Sequence, residues 1–292
     1  MTIALSIVVA SCNAVVSIRD CLGCLVQQVD QRIELIVVDN SDDGSTEIVR
    51  ADFPQIQLMT RPKSALINEL WSAGIRQSSG AIVALTTAHC VPAHDWIKQV
   101  LEGHLAEAEA AGVGGTIDGD PAGSLIDWAV CFCRYNHFLP PLSASEVDDI
   151  PADNASYKRA PLFRHEAQWR DGFWEPQLHR ALAQEGQALR IAPAMLVRHR
   201  HSYNFSGFMM QRFLHGQKYG SWRASTLNPM KRMLMLVAAP LIPFVLLQRT
   251  ARRVLGKGRH QQKFILAIPL VTAFFIAWAC GEATGYAKGI AR

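Results

Sequence analysis

The sequence has few charged residues and lacks the common nucleotide-binding fingerprints. Asp, Glu, Lys and Arg make up 18% of its 292 residues and hydrophobic residues 49%, a balance that predicts a membrane-facing part. No G-x-G-x-x-G follows the first predicted strand and no G-x-x-x-x-G-K-[ST] occurs, which excludes the usual dinucleotide and P-loop sites. The net charge of +4 is mild and zinc-finger, basic-zipper and RNA-stacking motifs are absent, so we expect no nucleic-acid partner.

The seven cysteines do not form a disulfide pattern. Their number is odd and they are scattered, partly inside apolar runs, which predicts buried thiols in a reducing compartment. Cys21 and Cys24 form a C-x-x-C pair, but no second pair stands at zinc spacing. Residues 1–10 are predicted to be a strand rather than a secretory signal, so we expect a cytoplasmic location.

Strand and helix signals alternate along the first two thirds of the chain. Apolar, β-branched runs predict strands over residues 3–10, 32–39, 56–60, 81–86, 113–117 and 189–197. Helical periodicity separates them over residues 15–28, 46–51, 64–78, 95–111 and 172–186. This order predicts an α/β fold with a mostly parallel sheet flanked by helices on both faces. Residues 118–150 are aromatic-rich without clear periodicity, and we expect an irregular cover there.

Three polar segments follow predicted strands and are expected to meet at one edge of the sheet. They are residues 11–13, 39–43 and 86–89, and ligands of such sheets lie at the carboxyl ends of the strands. Ser11 and Asn13 are candidates for nucleotide binding, with capping of the next helix as the alternative. A carboxylate at Asp39 can accept hydrogen bonds from a base or ribose, although such residues also form turns.

The C-terminal part is apolar and basic. Residues 234–247 and 264–280 are apolar, but each is shorter than the about 20 residues of a full span, and the linker between them carries basic and no acidic residues. We therefore predict a domain over residues 1–205 and a membrane-associated helical region over 206–292. Because basic flanks favour the cytoplasmic side, the first segment is expected to be re-entrant or interfacial, or else the pair spans against the charge rule. A packed soluble hairpin is the alternative.

Five motifs occur in order along the first 200 residues. They read LSIVVASCN (5–13), IELIVVDNSDDGST (33–46), WSAGIRQSSG (71–80), DNASYKR (153–159) and GFWEPQLHRALAQEG (172–186). In these motifs the chain resembles the family-2 glycosyltransferases, which have a GT-A-like, Rossmann-type fold. The resemblance implies a sugar transfer from a nucleotide-diphosphate sugar, and the apolar tail resembles family members with membrane-attached C-termini.

The chain departs from the family at the position of its metal-binding D-x-D motif. Thr87-Ala88-His89 stands there, and these residues do not supply the two carboxylates that would hold Mg²⁺ or Mn²⁺. Thr87 and His89 remain candidates for donor binding, and three alternatives follow. His89 and His199 together ligate a metal, protonated His89 contacts the diphosphate without a metal, or the site has lost catalysis.

The last motif supplies the candidate catalytic residue. Glu175 aligns with the second acid of the family's Glu-Asp pair, which implies a general base for an inverting transfer; a plain helix-first-turn glutamate is the alternative. Asn154, Trp174 and His179 are expected on the acceptor or sugar side. The function predicted is transfer to a membrane-presented acceptor, a lipid-linked glycan or polysaccharide precursor, at the cytoplasmic face of the inner membrane. The alternative is a catalytically inactive nucleotide-binding or scaffold module.

Overall fold

A mixed β-sheet, built from the apolar runs of the first two thirds of the chain, forms the centre of one of two units. The structure, a computed structural model, describes residues 3–288. The first unit combines the chain up to Asp118 with Phe138–His201, and the second combines Gly119–His137 with the chain from Ser202 onward. The sheet and all the predicted site residues lie in the first unit.

The secondary structure follows the alternation seen in the sequence. The strands are β1 (Leu5–Ser11), β2 (Ile33–Asp39), β3 (Gln57–Thr60), β4 (Ile82–Thr87), β5 (Cys90–Pro92), β6 (Gly112–Gly119), β7 (Ser145–Val147), β8 (Asn154–Lys158) and β9 (Leu189–His199). The helices are α1 (Ile18–Val26), α2 (Ser45–Asp52), α3 (Ile67–Gln77), α4 (Trp96–Ala106), α5 (Leu125–Tyr135), α6 (Arg159–Arg164), α7 (Glu175–Gln184), α8 (Phe205–Thr226), α9 (Pro229–Ala238), α10 (Ile242–Gly256) and α11 (Gln261–Lys288).

The sheet has a parallel and an antiparallel half. Its strand order is β3-β2-β1-β4-β8-β6-β9-β5, with β7 added beside β9. Neighbours from β3 to β4 pair in parallel, whereas β8 runs antiparallel to β4 and β6, and β9 antiparallel to β5 and β7. The predicted α/β sheet flanked by helices is confirmed, and the antiparallel half adds the start of β8 to the edge where the parallel strands end.

Burial explains why the parallel half is so apolar. Every residue of β1 is buried, as expected for a strand covered by helices on both faces. Helix α3 lies close to β1 at Gly74, where a Cβ atom would come within 2.2 Å of Cγ1 of Val8. Glycine at this position therefore allows the helix and the strand to pack at short distance.

One predicted segment is wrong in part. Residues 118–150 were expected to be irregular, but α5 covers Leu125–Tyr135 in the second unit. Ser124 caps this helix, because its Oγ accepts a hydrogen bond from the Asp127 amide at 3.2 Å. In turn, the Asp127 carboxylate accepts a hydrogen bond from the Ser124 amide. This reciprocal pair is a capping box. Trp128, Phe132 and Tyr135 are buried, because their spacing of four and three residues places them on one helical face.

The second unit is helical and contains the apolar tail. Two stretches, Pro229–Gly256 and Gln261–Lys288, are long and apolar enough to cross a membrane by length and composition. The first is interrupted by a short 3₁₀ turn, Ala239–Leu241, where Pro240 and Pro243 remove helix hydrogen bonds. Helices α8 and α11 pack together through glycines, since a Cβ atom at Gly281 would lie 2.0 Å from the Phe213 carbonyl oxygen.

Candidate active site

The register of the sheet brings the predicted polar segments to one edge. Ser11 at the end of β1 is level with Asp39 at the end of β2, and Ala10 is level with Thr87 at the end of β4. Because β8 is antiparallel, its first residue Asn154 pairs with Thr86 at the same edge. The residues expected to bind the donor therefore lie beside the segment expected on the acceptor side.

The loops after β1 and β2 hold each other in place. The Asn13 amide donates to Ser41 Oγ at 2.8 Å, and its side-chain oxygen accepts from the Asp42 amide at 3.0 Å. Asp43 accepts from the Val15 amide at 2.9 Å; although burial acts to raise the pKa of this carboxyl, hydrogen bonds from Ser45 and Val15 lower it below its usual value. Asn13, with a φ of 51°, is thus engaged in joining the two loops.

Asp39 is buried and already hydrogen-bonded, whereas two neighbouring polar atoms are not. Its carboxylate accepts from Ser41 Oγ at 2.6 Å and from Thr46 Oγ1. Ser11 Oγ and Asn40 Oδ1 are buried and have no hydrogen-bond partner among the described residues. Such buried polar atoms carry a desolvation cost unless a ligand or water hydrogen-bonds to them. They are therefore available to bind a nucleotide-sugar at this edge.

The tip of β4 contacts an aspartate that the sequence reasoning did not select. Thr87 Oγ1 donates to Asp153 Oδ1 at 3.2 Å, and Thr86 Oγ1 donates to the Asp153 carbonyl at 2.9 Å. Asp153 is only 8% exposed. Its position immediately before β8, in the DNASYKR motif, was the available signal, but recognising it requires the antiparallel pairing of β8 with β4. A carboxylate therefore lies beside the tip although the tip itself has none.

Glu175 lies near this aspartate at the start of α7. It is partly buried, and its Oε1 accepts a hydrogen bond from the Ala152 amide at 3.3 Å. Burial raises the pKa of Glu175 to about 7; its own amide opposes this, and the negative charges of Asp153 and Asp149 add to it. A carboxyl with such a pKa exchanges protons near neutral pH, as a general base requires.

His89 lies among other histidines at the end of the tip. Its ring Nε2 is 3.0 Å from the Cys12 carbonyl oxygen, and its ring centroid is 4.1 Å from that of His201 and 6.4 Å from that of His199. Within residues 3–288, no group of three His, Cys, Asp or Glu side chains is placed to hold a metal ion. The residues present do not make a complete metal site, and the pairing of His89 with His199 as ligands stays a prediction.

The residues expected on the acceptor side differ in their surroundings. Asn154 is fully buried and donates to the carbonyls of Thr116 and Met195, both at 2.8 Å, while accepting from Trp96 Nε1 at 2.8 Å. His179 is also buried. Trp174 is 48% exposed directly before Glu175. Of the three, Trp174 is therefore the residue whose side chain is open to an approaching sugar.

Three comparisons with known proteins show what the chain is similar to. A family model described as "Glycosyl transferase family 2" matches residues 6–162, which is just over half of the chain. Over 100 residues the chain is 29% identical to the glycosyltransferase AglE of Haloferax volcanii; the alignment covers 32% of this chain and 33% of the relative. The chain thus spans about a third of the length of the curated relative that it matches.

A solved structure is similar over most of the chain. It is the mannosyltransferase PcManGT from Pyrobaculum calidifontis, in complex with GDP-Man and Mn²⁺. The TM-score is 0.56 at 17% sequence identity, and the match covers 97% of this chain and 87% of that one. At this identity the likeness shows the fold alone.

Proposed function

The chain belongs to glycosyl transferase family 2, and from this we propose that it transfers a sugar, with inversion, from a nucleotide-diphosphate sugar to an acceptor at a membrane. The observation that carries the proposal is Glu175. Its carboxyl is partly buried, titrates near neutral pH and lies by the edge where β1, β2 and β4 end. Of the predicted site residues, Glu175 is the one whose surroundings favour proton transfer.

In this proposal Glu175 is the general base of the transfer. The acceptor hydroxyl gives its proton to the Glu175 carboxylate as its oxygen forms a bond to the anomeric carbon. The bond from that carbon to the diphosphate oxygen breaks, and the nucleoside diphosphate leaves with the electron pair. With a pKa of about 7, Glu175 is deprotonated in roughly half of the molecules at pH 7. A base with a pKa near the working pH is both present in its ionised form and basic enough to accept a proton.

We assign the nucleotide part of the sugar donor to the edge of the sheet where β1 and β2 end. Ser11 Oγ can donate and accept hydrogen bonds, and Asn40 Oδ1 can accept them; both atoms are buried and have no partner in the described part of the chain. Groups of a base or ribose that hydrogen-bond there would remove the desolvation cost. The Asp39 carboxylate accepts hydrogen bonds from Ser41 and Thr46, and in this proposal it shapes the loop while keeping acceptor capacity for a base or ribose.

The diphosphate is assigned to the tip that replaces D-x-D. Thr87 carries a hydroxyl, and His89, once protonated, adds a positive charge beside the phosphate oxygens. No step of the proposal passes through a metal ion. A second candidate function, a nucleotide-binding module without turnover, is favoured by the engagement of Thr87 with Asp153 rather than with an open site.

The acceptor is assigned to a membrane because of the second unit. In α9, the 3₁₀ turn and α10, large apolar side chains are exposed; they include Met230, Leu234, Val237, Leu241 and Phe244. Arg249 and Arg252 are exposed near the end of the stretch, and no acidic residue occurs between residues 229 and 281. Apolar surface flanked by cations fits a bilayer with anionic headgroups, as on the cytoplasmic leaflet.

An assay of donor turnover tests the proposal. Purified protein in lipid nanodiscs is incubated with nucleotide-diphosphate sugars, and release of the nucleoside diphosphate is followed with and without EDTA. We expect turnover by the wild type that Glu175→Gln lowers by about 10²- to 10⁴-fold, and that EDTA leaves unchanged. Donor binding without turnover by wild type and variant alike supports the inactive module. Loss of wild-type turnover in EDTA contradicts the metal-free mode.

A further inference from the structure

A buried histidine follows Glu175 by one helical turn and is bonded at both ring nitrogens. His179 Nε2 is 2.8 Å from the Tyr157 hydroxyl on β8, and His179 Nδ1 is 2.5 Å from Asp149 Oδ1. An ionised carboxylate only accepts hydrogen bonds, so Nδ1 carries the proton toward Asp149. The imidazole therefore links α7, β8 and the loop before β8 through two side-chain hydrogen bonds.

Charged groups surround this histidine on several elements. A cavity of about 490 Å³ beside α7 is lined by Asp149 and His179 and also by Glu146, Asp148 and Arg180. Glu175, one turn before His179, is electrostatically coupled to both Asp149 and Asp153. Asp149 is about half exposed, so its carboxylate would be free to turn into the cavity and toward solvent if His179 did not hold it.

We propose that His179 is a positioning residue that fixes the Asp149 carboxylate and the first turn of α7 in the arrangement that Glu175 needs to accept a proton. The proposal rests on the function proposed above, because it concerns the same base. The sequence alone placed His179 on the acceptor side. Its burial and its two partners give it instead a role that acts through Asp149 and Glu175.

The electrostatics of the neighbours agree with this geometry. Burial raises the pKa of Tyr157, and the charges of Glu175 and Asp149 raise it further, so the phenol stays protonated and able to donate to Nε2. The Asp149 charge also contributes to the raised pKa of Glu175. A carboxylate held at a constant position keeps this contribution constant, whereas a mobile one in solvent would be screened.

A titration of Glu175 tests the proposal without using turnover. The protein is labelled with ¹³C at glutamate carboxyls, and the Glu175 signal is identified by its loss in Glu175→Gln. Asp149→Asn keeps an acceptor for Nδ1 but removes the charge, and we expect the Glu175 midpoint to fall by about half a pH unit. Asp148→Asn, a change of the adjacent acid that lines the same cavity, is the matched control and should leave the midpoint in place.

A double-mutant cycle separates positioning from simple packing. His179→Gln cannot bridge both partners, so we expect it to lower the midpoint as well, and to add nothing in the Asp149→Asn background. Additive shifts, or equal midpoints in the wild type, Asp149→Asn and Asp148→Asn, would overturn the proposal. If the cycle behaves as expected but Glu175→Gln retains full turnover, the positioning stands and the assignment of Glu175 as the base fails.

Discussion

The carboxyl of Glu175 occupies a place where its charge is disfavoured in the folded state. Its pKa rises from an ordinary 4.5 to about 7, chiefly through burial. The folded protein therefore binds this proton more tightly than the unfolded chain between those two values. Stability that is present at low pH is lost as pH rises through this window, which is the cost of holding this carboxyl in a buried place.

This linkage predicts a stabilised variant. Glu175→Gln has no charge to desolvate, so at pH 8 it should be more stable than the wild type by roughly 1 to 3 kcal/mol. At pH 4.5 and below the difference should fade, because the wild-type carboxyl is then protonated too. Thermal unfolding followed by circular dichroism at both pH values measures this. A difference of the same size at pH 4.5 and pH 8 would show that packing, rather than charge, is responsible.

A second residue-scale prediction concerns Asn154. Its side chain makes three buried hydrogen bonds to Trp96, Thr116 and Met195, so Asn154→Ala leaves buried groups unsatisfied and should destabilise the protein by about 2 to 4 kcal/mol. We expect the surviving folded enzyme to keep its KM for the acceptor. A raised acceptor KM with unchanged unfolding would instead support the acceptor-side role that the motif suggests.

Two signals in the sequence predicted residues of the candidate site: the polar segments at strand ends and the order of the motifs. These signals selected Ser11, Asp39, Thr87 and Glu175, and the register brings the first three to one edge. They did not show that Asp39 already accepts hydrogen bonds from Ser41 and Thr46, or that the side-chain oxygen of Asn40 has no partner within residues 3–288, because hydrogen-bond partners depend on loop geometry.

At the scale of elements, strands and helices were predictable where the apolar period was long. The parallel strands β1, β2 and β4 coincide with continuous apolar runs, which are typical of strands buried on both faces. The antiparallel insertion of β8 between β4 and β6 has no local signal, since pairing partners are far apart in sequence. For this reason Asp153, which β8 delivers to the tip of β4, was missed.

The pairing of α8 with α11 gives an element-scale prediction. Gly281 and Gly285 of α11 lie against the backbone of α8, a small-residue contact of the kind that lets helices approach closely. Gly281→Ala places a Cβ atom 2.0 Å from the Phe213 carbonyl oxygen, and we expect a loss of about 1 to 3 kcal/mol. Thermal unfolding in detergent measures this effect.

The matched control lies in another helix of the same unit. Gly256 of α10 has open space around the position of a Cβ atom, so Gly256→Ala should be neutral or slightly stabilising, as alanine favours helices. Equal unfolding temperatures for the two variants would contradict the close packing of α8 and α11.

At the scale of the whole molecule, most of the large exposed apolar side chains lie in the second unit. Val237 is 71% and Phe244 is 71% exposed, on a stretch that is mostly uncovered by the protein itself. A contiguous surface of this kind is unusual on a protein that stays in water.

Membrane extraction with carbonate tests this surface. We expect the wild type to stay in the membrane pellet, and the double variant Val237→Glu, Phe244→Glu to move to the supernatant because charge is costly in hydrocarbon. Leu105→Glu, at a residue 79% exposed on α4, is the control and should stay in the pellet. Release of the wild type would favour a packed soluble hairpin.

The central claim, that Glu175 is the base, is tested most directly by the pH dependence of kcat/KM for sugar transfer. We predict that the wild-type value falls as pH drops below about 7, because the carboxyl must be deprotonated to accept the acceptor's proton. In Glu175→Gln the residual activity should lack this acidic limb. A wild-type profile that is flat from pH 5.5 to pH 8, or an identical limb in the variant, would contradict the account.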